Sequence, residues 1–146
     1  MYIIIKPIIC METQTYILDI DNTMSITPLD EDGNGIYHKA KPVQPVLDKI
    51  NILYNEGHKV ILFTARGMRT FQGDVQKIEN HHRPILEVWL EENNVKYHQL
   101  IFGKPWGRNV HYIDDRALNI DQFVEFSPSN YEKCLNANKW KTYAKL

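Results

Sequence analysis

The sequence predicts an α/β fold in which a Rossmann-like parallel sheet is covered by helices on both faces. Three observations support this prediction: the apolar runs are continuous rather than alternating, helical segments follow most of them, and turn-forming residues separate them. Continuous apolar strands joined through helices are typical of parallel sheets with two covered faces. Such sheets bind ligands at the carboxyl ends of their strands, so polar residues there are the candidate functional residues.

The first strand and the first helix lie on either side of a turn-rich segment. Residues 14–20 (QTYILDI) form an apolar run that ends in turn-prone residues. Residues 24–41 contain two possible hairpin tips, Asp32-Gly33 and Asn34-Gly35, and predict a small exposed β-hairpin flap. Residues 42–56 have apolar side chains at helical spacing, with a proline near the start and a glycine just past the end.

The rest of the chain alternates in the same way, with one polar interruption. Residues 65–83 are rich in polar side chains and predict a long loop or a frayed helix, in which His81 and His82 are interpreted as a solvated pair rather than zinc ligands. Further strands are expected at residues 59–64, 99–102 and 110–113, and further helices at residues 84–92, 117–126 and 129–140.

Length and composition predict one domain over residues 1–146 of ordinary globular type. Hydrophobic residues make up 43% of the chain and charged residues 24%. The net charge of −1 argues against a nucleic-acid partner. Two cysteines provide no disulfide framework, and the apolar residues 2–11 are too short to span a bilayer. We therefore expect a cytoplasmic protein without a membrane segment.

Polar side chains follow each of the four predicted strands. The first strand ends in Asp19-Ile20-Asp21-Asn22-Thr23 and the second in Thr64; Lys104 lies in the turn after the third, and Asp114-Asp115 closes the fourth. Paired carboxylates at a strand end are costly unless a cation or a proton relay uses them. A hydroxyl and free backbone amides suit a phosphate oxygen, and an ammonium group suits negative charge. Each feature alone is weak, but their occurrence in this order predicts phosphoryl chemistry.

With these residues the chain resembles the haloacid dehalogenase (HAD) superfamily of aspartyl-phosphate phosphohydrolases, over residues 16 to about 126. Within that span, residues 67–78 (GMRTFQGDVQKI) and 103–106 (GKPW) are similar to the small capsule-biosynthesis phosphatases. Met24 stands where leucine or valine is more usual, which is a conservative difference.

The resemblance implies a role for each strand-end residue. Asp19 would be the nucleophile, and Asp21 the general acid for the leaving group and then the base that activates water. Thr64, with the backbone amides of Asn22 and Ala65, would bind phosphate oxygens. The charge on Asp19 and on the phosphoryl group would be neutralised by Lys104.

The resemblance also implies a magnesium ion. Asp19, the backbone carbonyl of Asp21, and Asp114 would hold it, with water and phosphate completing the octahedron. Asp115 would either orient these ligands or pair with Lys104.

Four further residues are candidates for substrate binding. Arg66 and Arg69 follow the second strand and suit a second anionic group on the substrate. Trp106 either stacks on a substrate ring or packs within its turn, and His38 in the flap is a candidate to reach the leaving group.

The intervals between the motifs leave no room for a separate cap domain. Only 44 residues separate Asp19 from Thr64, and 39 separate Thr64 from Lys104. A site without a cap is open to water unless another subunit closes it, so we expect a homo-oligomer.

The expected function is magnesium-dependent hydrolysis of a small phosphorylated metabolite, a sugar or polyol phosphate used in capsule or surface-polysaccharide synthesis. The alternative enzyme is a nucleic-acid 3′-phosphatase, because residues 113–116 (IDDR) also resemble a motif of polynucleotide kinase phosphatase domains. A protein phosphatase and a non-catalytic binding protein are weaker alternatives. Both Asp19 and Asp21 are present, which favours an enzyme.

Overall fold

The computed structural model describes residues 12–130, so the apolar residues 2–11, both cysteines and all but the first two residues of the helix expected at 129–140 lie outside the described part. The elements in chain order are β1 (Thr15–Leu18), β2 (Ser25–Ile26), β3 (Lys41–Pro42), α1 (Gln44–Asn55), β4 (Lys59–Thr64), α2 (Val75–Glu92), β5 (Gln99–Phe102) and α3 (Ile120–Glu125). Short 3-10 turns lie at Tyr37–Lys39 and Pro128–Asn130.

Strands β1, β4 and β5 form a parallel sheet in that order. Leu18 pairs with Leu62, and Thr64 with Phe102, so the three carboxyl ends lie at one edge. The long connections through α1 and α2 are those that parallel neighbours require. The predicted α/β fold with a parallel sheet is therefore confirmed.

Burial alternates along the strands of the sheet, and the predicted coverage of both faces stays a prediction. In β4 the alternate residues Val60, Leu62 and Thr64 are fully buried. On the opposite face, Ile17 is 64% exposed and Ile101 is 40% exposed. Within residues 12–130, one face of the sheet is therefore more deeply buried than the other, because the side chains of a strand point alternately to its two sides.

Helix α1 contributes much of the buried layer. Its residues Val46, Leu47, Ile50 and Leu53 recur at helical spacing and are buried. A proline lies in its first turn, where no backbone donor is lost. Each fully buried aliphatic side chain contributes about 1.5–3 kcal/mol, so this stripe fixes α1 on the sheet.

Helix α2 begins nine residues before the predicted helix, and the expected loop over residues 65–83 ends at Asp74. The Asp74 carboxylate caps the helix by accepting the backbone N–H of Lys77 at 3.2 Å. Pro84 lies inside the helix. His82 is 5% exposed and lies on the buried stripe with Ile78 and Leu86, so the interpretation of a solvated histidine pair is wrong for His82.

The strand predicted at residues 110–113 is not formed in the described structure. Ile113 is 96% exposed, and a cleft of about 1430 Å³ lies between β1 and this segment. A four-residue run without a pairing partner has no ladder hydrogen bonds to hold it as a strand. Helix α3 then begins at Ile120 rather than at 117, because Asn119 and Gln122 form a capping box.

Residues 25–42 double back on themselves as an antiparallel pair. Ser25 pairs with Pro42, and Leu29 forms an isolated bridge with Gly35. The tip is the Asp30–Gly33 turn, in which Asp30 accepts the Gly33 N–H at 3.0 Å. The role of this segment as a flap and the lack of a cap domain stay predictions. No helix within residues 12–130 has both the length and the apolar character needed to cross a membrane.

Candidate active site

Three predicted site residues meet where the sheet strands end. Asp19 follows β1, Thr64 ends β4, and Lys104 lies two residues beyond β5. The backbone N–H of Lys104 donates to the Thr64 carbonyl at 3.1 Å, which ties the β5 turn to β4. The Lys104 Nζ atom then lies 3.4 Å from Oδ1 of Asp19. Strand pairing thus places an ammonium group against the first carboxylate of the Asp-x-Asp motif.

Asp19 is a partly buried carboxylate with one cationic neighbour. Burial raises the pKa of Asp19 above its usual value, the Lys104 ammonium opposes that rise, and the nearby Asp21 carboxylate adds a small increase. The Asp19 side chain is still 30% exposed, and it opens into the cleft beside β1. The site therefore offers an accessible carboxylate whose ionised form is supported by Lys104.

Asp21 has a different partner. Nε of Arg66 donates to Oδ2 of Asp21 at 3.2 Å, and Nη2 donates to Oδ1 at 2.8 Å. The hydroxyl of Thr27 also donates to Oδ1, at 3.0 Å. The Arg66 side chain is 1% exposed, so it faces Asp21 rather than a substrate, and the predicted contact with a second substrate anion is not what the structure presents.

Two aromatic side chains, Tyr37 and His82, form a layer that packs against Arg66. The guanidinium carbon lies 4.1 Å from the centroid of the Tyr37 ring, and Tyr37 meets the His82 ring edge-on at 5.1 Å. Burial, and then the Asp21 carboxylate, raises the pKa of Tyr37. Sequence reasoning missed Thr27, Tyr37 and His82 as parts of this site, because no spacing rule relates them to a strand end.

His82 is the neutral member of this layer. Burial, together with the nearby His81 and Arg66, lowers the pKa of His82 to about 4. Its Nδ1 atom has no hydrogen-bond partner among residues 12–130. A Cβ atom on Gly67 would lie 2.7 Å from the His82 ring, and Gly67 has a φ of +80°. The turn after β4 therefore requires glycine at this position.

The predicted phosphate-binding backbone is partly occupied by internal hydrogen bonds. The amide of Asn22 donates to the Ser25 carbonyl at 2.7 Å, with Asn22 at a φ of +60°. The Thr64 hydroxyl is buried and accepts the Arg66 amide at 3.0 Å. A phosphate oxygen would have to compete with the Ser25 carbonyl for the Asn22 amide. Ala65 is half-buried in the turn just beyond Thr64.

Asp114 and Asp115 are exposed and lie apart from the other carboxylates. Oδ1 of Asp114 accepts the Arg116 amide at 2.7 Å in a local turn. Asp114 shares the 1430 Å³ cleft with Asp19 and Lys104. The ion pair of Lys104 is with Asp19 rather than with Asp115, and its ammonium lies 4.3 Å from the Tyr112 ring centroid.

The chemistry of the predicted magnesium ligands fits the ion. Carboxylate and carbonyl oxygens are the ligands that Mg²⁺ prefers. Yet within residues 12–130, no three histidine, cysteine, aspartate or glutamate side chains form a group that could hold a metal ion. Asp19 faces Lys104, Asp21 faces Arg66, and Asp114 lies on an exposed turn. The predicted set consists of two carboxylates and one backbone carbonyl rather than three side chains, and it stays a prediction.

The remaining substrate-binding candidates lie around this centre without contacting it. Nη1 of Arg69 donates to the Gly33 carbonyl at 3.3 Å and so reaches the tip of the hairpin segment. Trp106 is 48% exposed in the turn beyond Lys104. His38 is exposed and lines a separate groove of about 530 Å³ between the hairpin segment and α2.

One solved structure is similar to this chain over most of its length. No family model and no curated protein matches the sequence. The crystal structure of an MCSG target from Vibrio cholerae superposes with a TM-score of 0.76 at 30% sequence identity, covering 87% of this chain and all of that one. The name of that structure states no activity. At this identity and coverage, the chain belongs to the same family as the Vibrio cholerae protein.

Proposed function

We propose that the protein hydrolyses phosphomonoesters of small sugars or polyols through an aspartyl-phosphate on Asp19. The observation that carries the proposal is the 3.4 Å approach of Lys104 Nζ to Asp19 Oδ1, at the end of the parallel sheet where such folds bind ligands. A partly exposed carboxylate with a neighbouring ammonium group is suited to attack an anionic phosphoryl group.

In the first step, a carboxylate oxygen of Asp19 attacks phosphorus, and the bond from phosphorus to the leaving oxygen breaks. Asp21 transfers its proton to that oxygen, which leaves as an alcohol. In the second step, Asp21 takes a proton from water while the water oxygen attacks phosphorus. The bond from phosphorus to Asp19 then breaks, which releases phosphate and restores both carboxyl groups. Lys104 offsets the negative charge that gathers between Asp19 and the phosphoryl group.

Magnesium dependence is the part of the proposal that rests on the resemblance to HAD phosphatases. A bound magnesium ion would supply charge neutralisation at the phosphoryl oxygens. Neither step above is assigned to it, and the assay below measures it separately.

The open cleft beside Asp19 supports a metabolite-sized substrate. Its volume of about 1430 Å³ leaves room for a sugar or polyol phosphate, and Tyr112 lines it close to Lys104. The similarity of residues 67–78 and 103–106 to capsule-biosynthesis phosphatases supports a place in surface-polysaccharide synthesis.

The test is phosphate release from a panel of sugar phosphates, polyol phosphates, nucleotides and 3′-phosphorylated oligonucleotides, with and without magnesium. Asp19→Asn should lower turnover by at least about three orders of magnitude, because it removes the nucleophile. Asp48→Asn is the matched control, since Asp48 is an exposed carboxylate on α1 whose partner is Gln44. Acid quenching during turnover should trap one phosphoryl group on the peptide that contains Asp19.

The outcomes separate the candidate functions. Turnover of one sugar or polyol phosphate, lost in Asp19→Asn and kept in Asp48→Asn, supports the proposal. Turnover confined to the oligonucleotides would favour the 3′-phosphatase instead. Equal turnover in wild type and Asp19→Asn would refute the role of Asp19.

A further inference from the structure

We infer that Arg66 is the positioning residue of Asp21: it fixes the second carboxylate of the Asp-x-Asp motif in the orientation required for proton transfer to the leaving group. This inference deepens the proposed function and rests on it. Arg66 would not touch the substrate or the phosphoryl group, because its side chain is 1% exposed.

The contact between the two side chains has the geometry of an orienting clamp. Nε and Nη2 of Arg66 donate to different oxygens of Asp21, at 3.2 and 2.8 Å. Two parallel hydrogen bonds from a planar guanidinium fix the plane of a carboxylate, which a single donor cannot do. The Thr27 hydroxyl adds a third donor, to Oδ1 at 3.0 Å.

Arg66 is itself held so that it can act as a fixed support. The Tyr37 ring covers one face of its guanidinium at 4.1 Å, and the Arg66 backbone amide donates to the buried hydroxyl of Thr64. Gly67 follows with a φ of +80° and packs closely on His82. Both ends of the arginine are therefore fixed, while the Asp21 side chain remains 25% exposed.

A second arginine shows what an ordinary structural pair looks like in this protein. Arg83 pairs with Glu79 at 2.9 Å and with Glu87 at 3.2 Å, and it lies over the Phe102 ring at 5.3 Å. Its side chain is 32% exposed, and it joins carboxylates one turn away on its own helix. Arg66 instead reaches a carboxylate 45 residues away, in the motif that carries the nucleophile.

A misplaced general acid has a selective effect on rate. Alkyl phosphates need a proton on the departing oxygen, whereas p-nitrophenyl phosphate releases a weakly basic phenolate that does not. Loss of the clamp should therefore slow formation of the aspartyl-phosphate much more from alkyl phosphates than from p-nitrophenyl phosphate. Hydrolysis of the aspartyl-phosphate, in which Asp21 acts as the base, is the same step for both substrates and does not enter kcat/KM. A purely structural role for Arg66 would lower both rates by the same factor, through the fraction of folded enzyme.

The experiment compares Arg66→Met, Arg66→Lys and the control Arg83→Met with wild type. The substrates are the preferred alkyl phosphate and p-nitrophenyl phosphate. Arg66→Met should lower kcat/KM for the alkyl phosphate about 100-fold and kcat/KM for p-nitrophenyl phosphate at most a few-fold. Arg66→Lys keeps the charge but not the two parallel donors. Its loss of kcat/KM with the alkyl phosphate should exceed its loss with p-nitrophenyl phosphate by about 10-fold. Arg83→Met should show no such difference between the two substrates.

The results distinguish a failure of this inference from a failure of the proposed function on which it rests. Equal losses of kcat/KM on both substrates in the Arg66 variants, or the same difference between substrates in Arg83→Met, overturn the inference while the proposed function stands. Where Arg66→Met does not fold, Arg66→Lys decides the same question. A wild type that hydrolyses neither substrate overturns both. The Nε–H resonance of Arg66 in ¹⁵N spectra, displaced in Asp21→Ala, then reports the pair without requiring activity.

Discussion

The two sides of the candidate site differ sharply in how the chain holds them. We call Asp21, Thr27, Tyr37, Arg66 and His82 the packed side, because their side chains contact one another through hydrogen bonds, an ion pair and ring contacts. We call residues 110–116 the open side, because every residue in that range is exposed. Asp19 and Lys104 lie between the two sides, and both line the cleft.

The difference follows from strand pairing. On the packed side, Asp21 and Arg66 follow the ends of β1 and β4, which are neighbours in the sheet with a fixed register. The open side begins with the run 110–113, which pairs with no strand of the described structure. A strand that is hydrogen-bonded into the sheet fixes the position of the polar residue that follows it. Without the ladder, Asp114 is held only by the turn it makes with Arg116.

The largest expected contrast concerns the free energy of unfolding. Leu62→Ala removes a fully buried side chain from β4 and should cost about 2–5 kcal/mol, through lost burial and the cavity left behind. Ile113→Ala, at a residue 96% exposed, should change stability by less than about 0.5 kcal/mol. Urea unfolding monitored by circular dichroism measures both. A loss of more than about 2 kcal/mol in Ile113→Ala would show that the open side is packed in solution.

The same contrast marks how much of the fold could be predicted from the sequence. Residues 59–64 and 99–102 are strands with the predicted bounds, because apolar runs between turn residues suffice to define a strand inside a sheet. The start of α2 was missed because its first turns are polar and Pro84 suggested a boundary. The stripe of Ile78, His82 and Leu86 runs through that proline and was the available signal.

The candidate site was predictable to the same extent. The meeting of Asp19, Thr64 and Lys104 follows from strand order alone. The engagement of Asp21 by Arg66 and Thr27 depends on how the hairpin segment packs, which no local pattern encodes.

The pH dependence of stability should reveal His82 on the packed side. In the unfolded chain His82 titrates near 6.5, whereas in the folded protein its pKa is about 4. Between these values the unfolded state binds a proton that the folded state does not, so stability falls as the pH drops from about 6.5 to about 4. The loss amounts to roughly 3 kcal/mol. Across this pH range, urea unfolding should show that His82→Gln loses less stability than the wild type. The same pH dependence of stability in both proteins would contradict the low pKa of His82.

Two aspartates, one on each side, should respond differently to removal. Asp21→Ala leaves the buried Arg66 guanidinium without its carboxylate and should cost about 2 kcal/mol, a loss moderated because Asp21 is 25% exposed. Asp114→Ala removes one exposed hydrogen bond and should cost less than about 0.5 kcal/mol. Thermal unfolding of the two variants measures the difference. Similar melting temperatures would mean that the Arg66 pair adds no net stability.

The smallest expected contrast separates two glycines that are both close to a side chain. Gly67→Ala would place a Cβ 2.7 Å from the buried His82 ring at a φ of +80°, so strain and overlap together should cost about 1–2 kcal/mol. Gly107→Ala would place a Cβ 2.9 Å from Val110, but Val110 is 46% exposed and can rotate away. Its cost should stay below about 0.5 kcal/mol. Denaturant unfolding measures both variants, and only a packed side that cannot adjust produces the larger loss. Equal losses would mean that His82 yields as easily as Val110, and that the layer beneath Arg66 is less rigid than its contacts indicate.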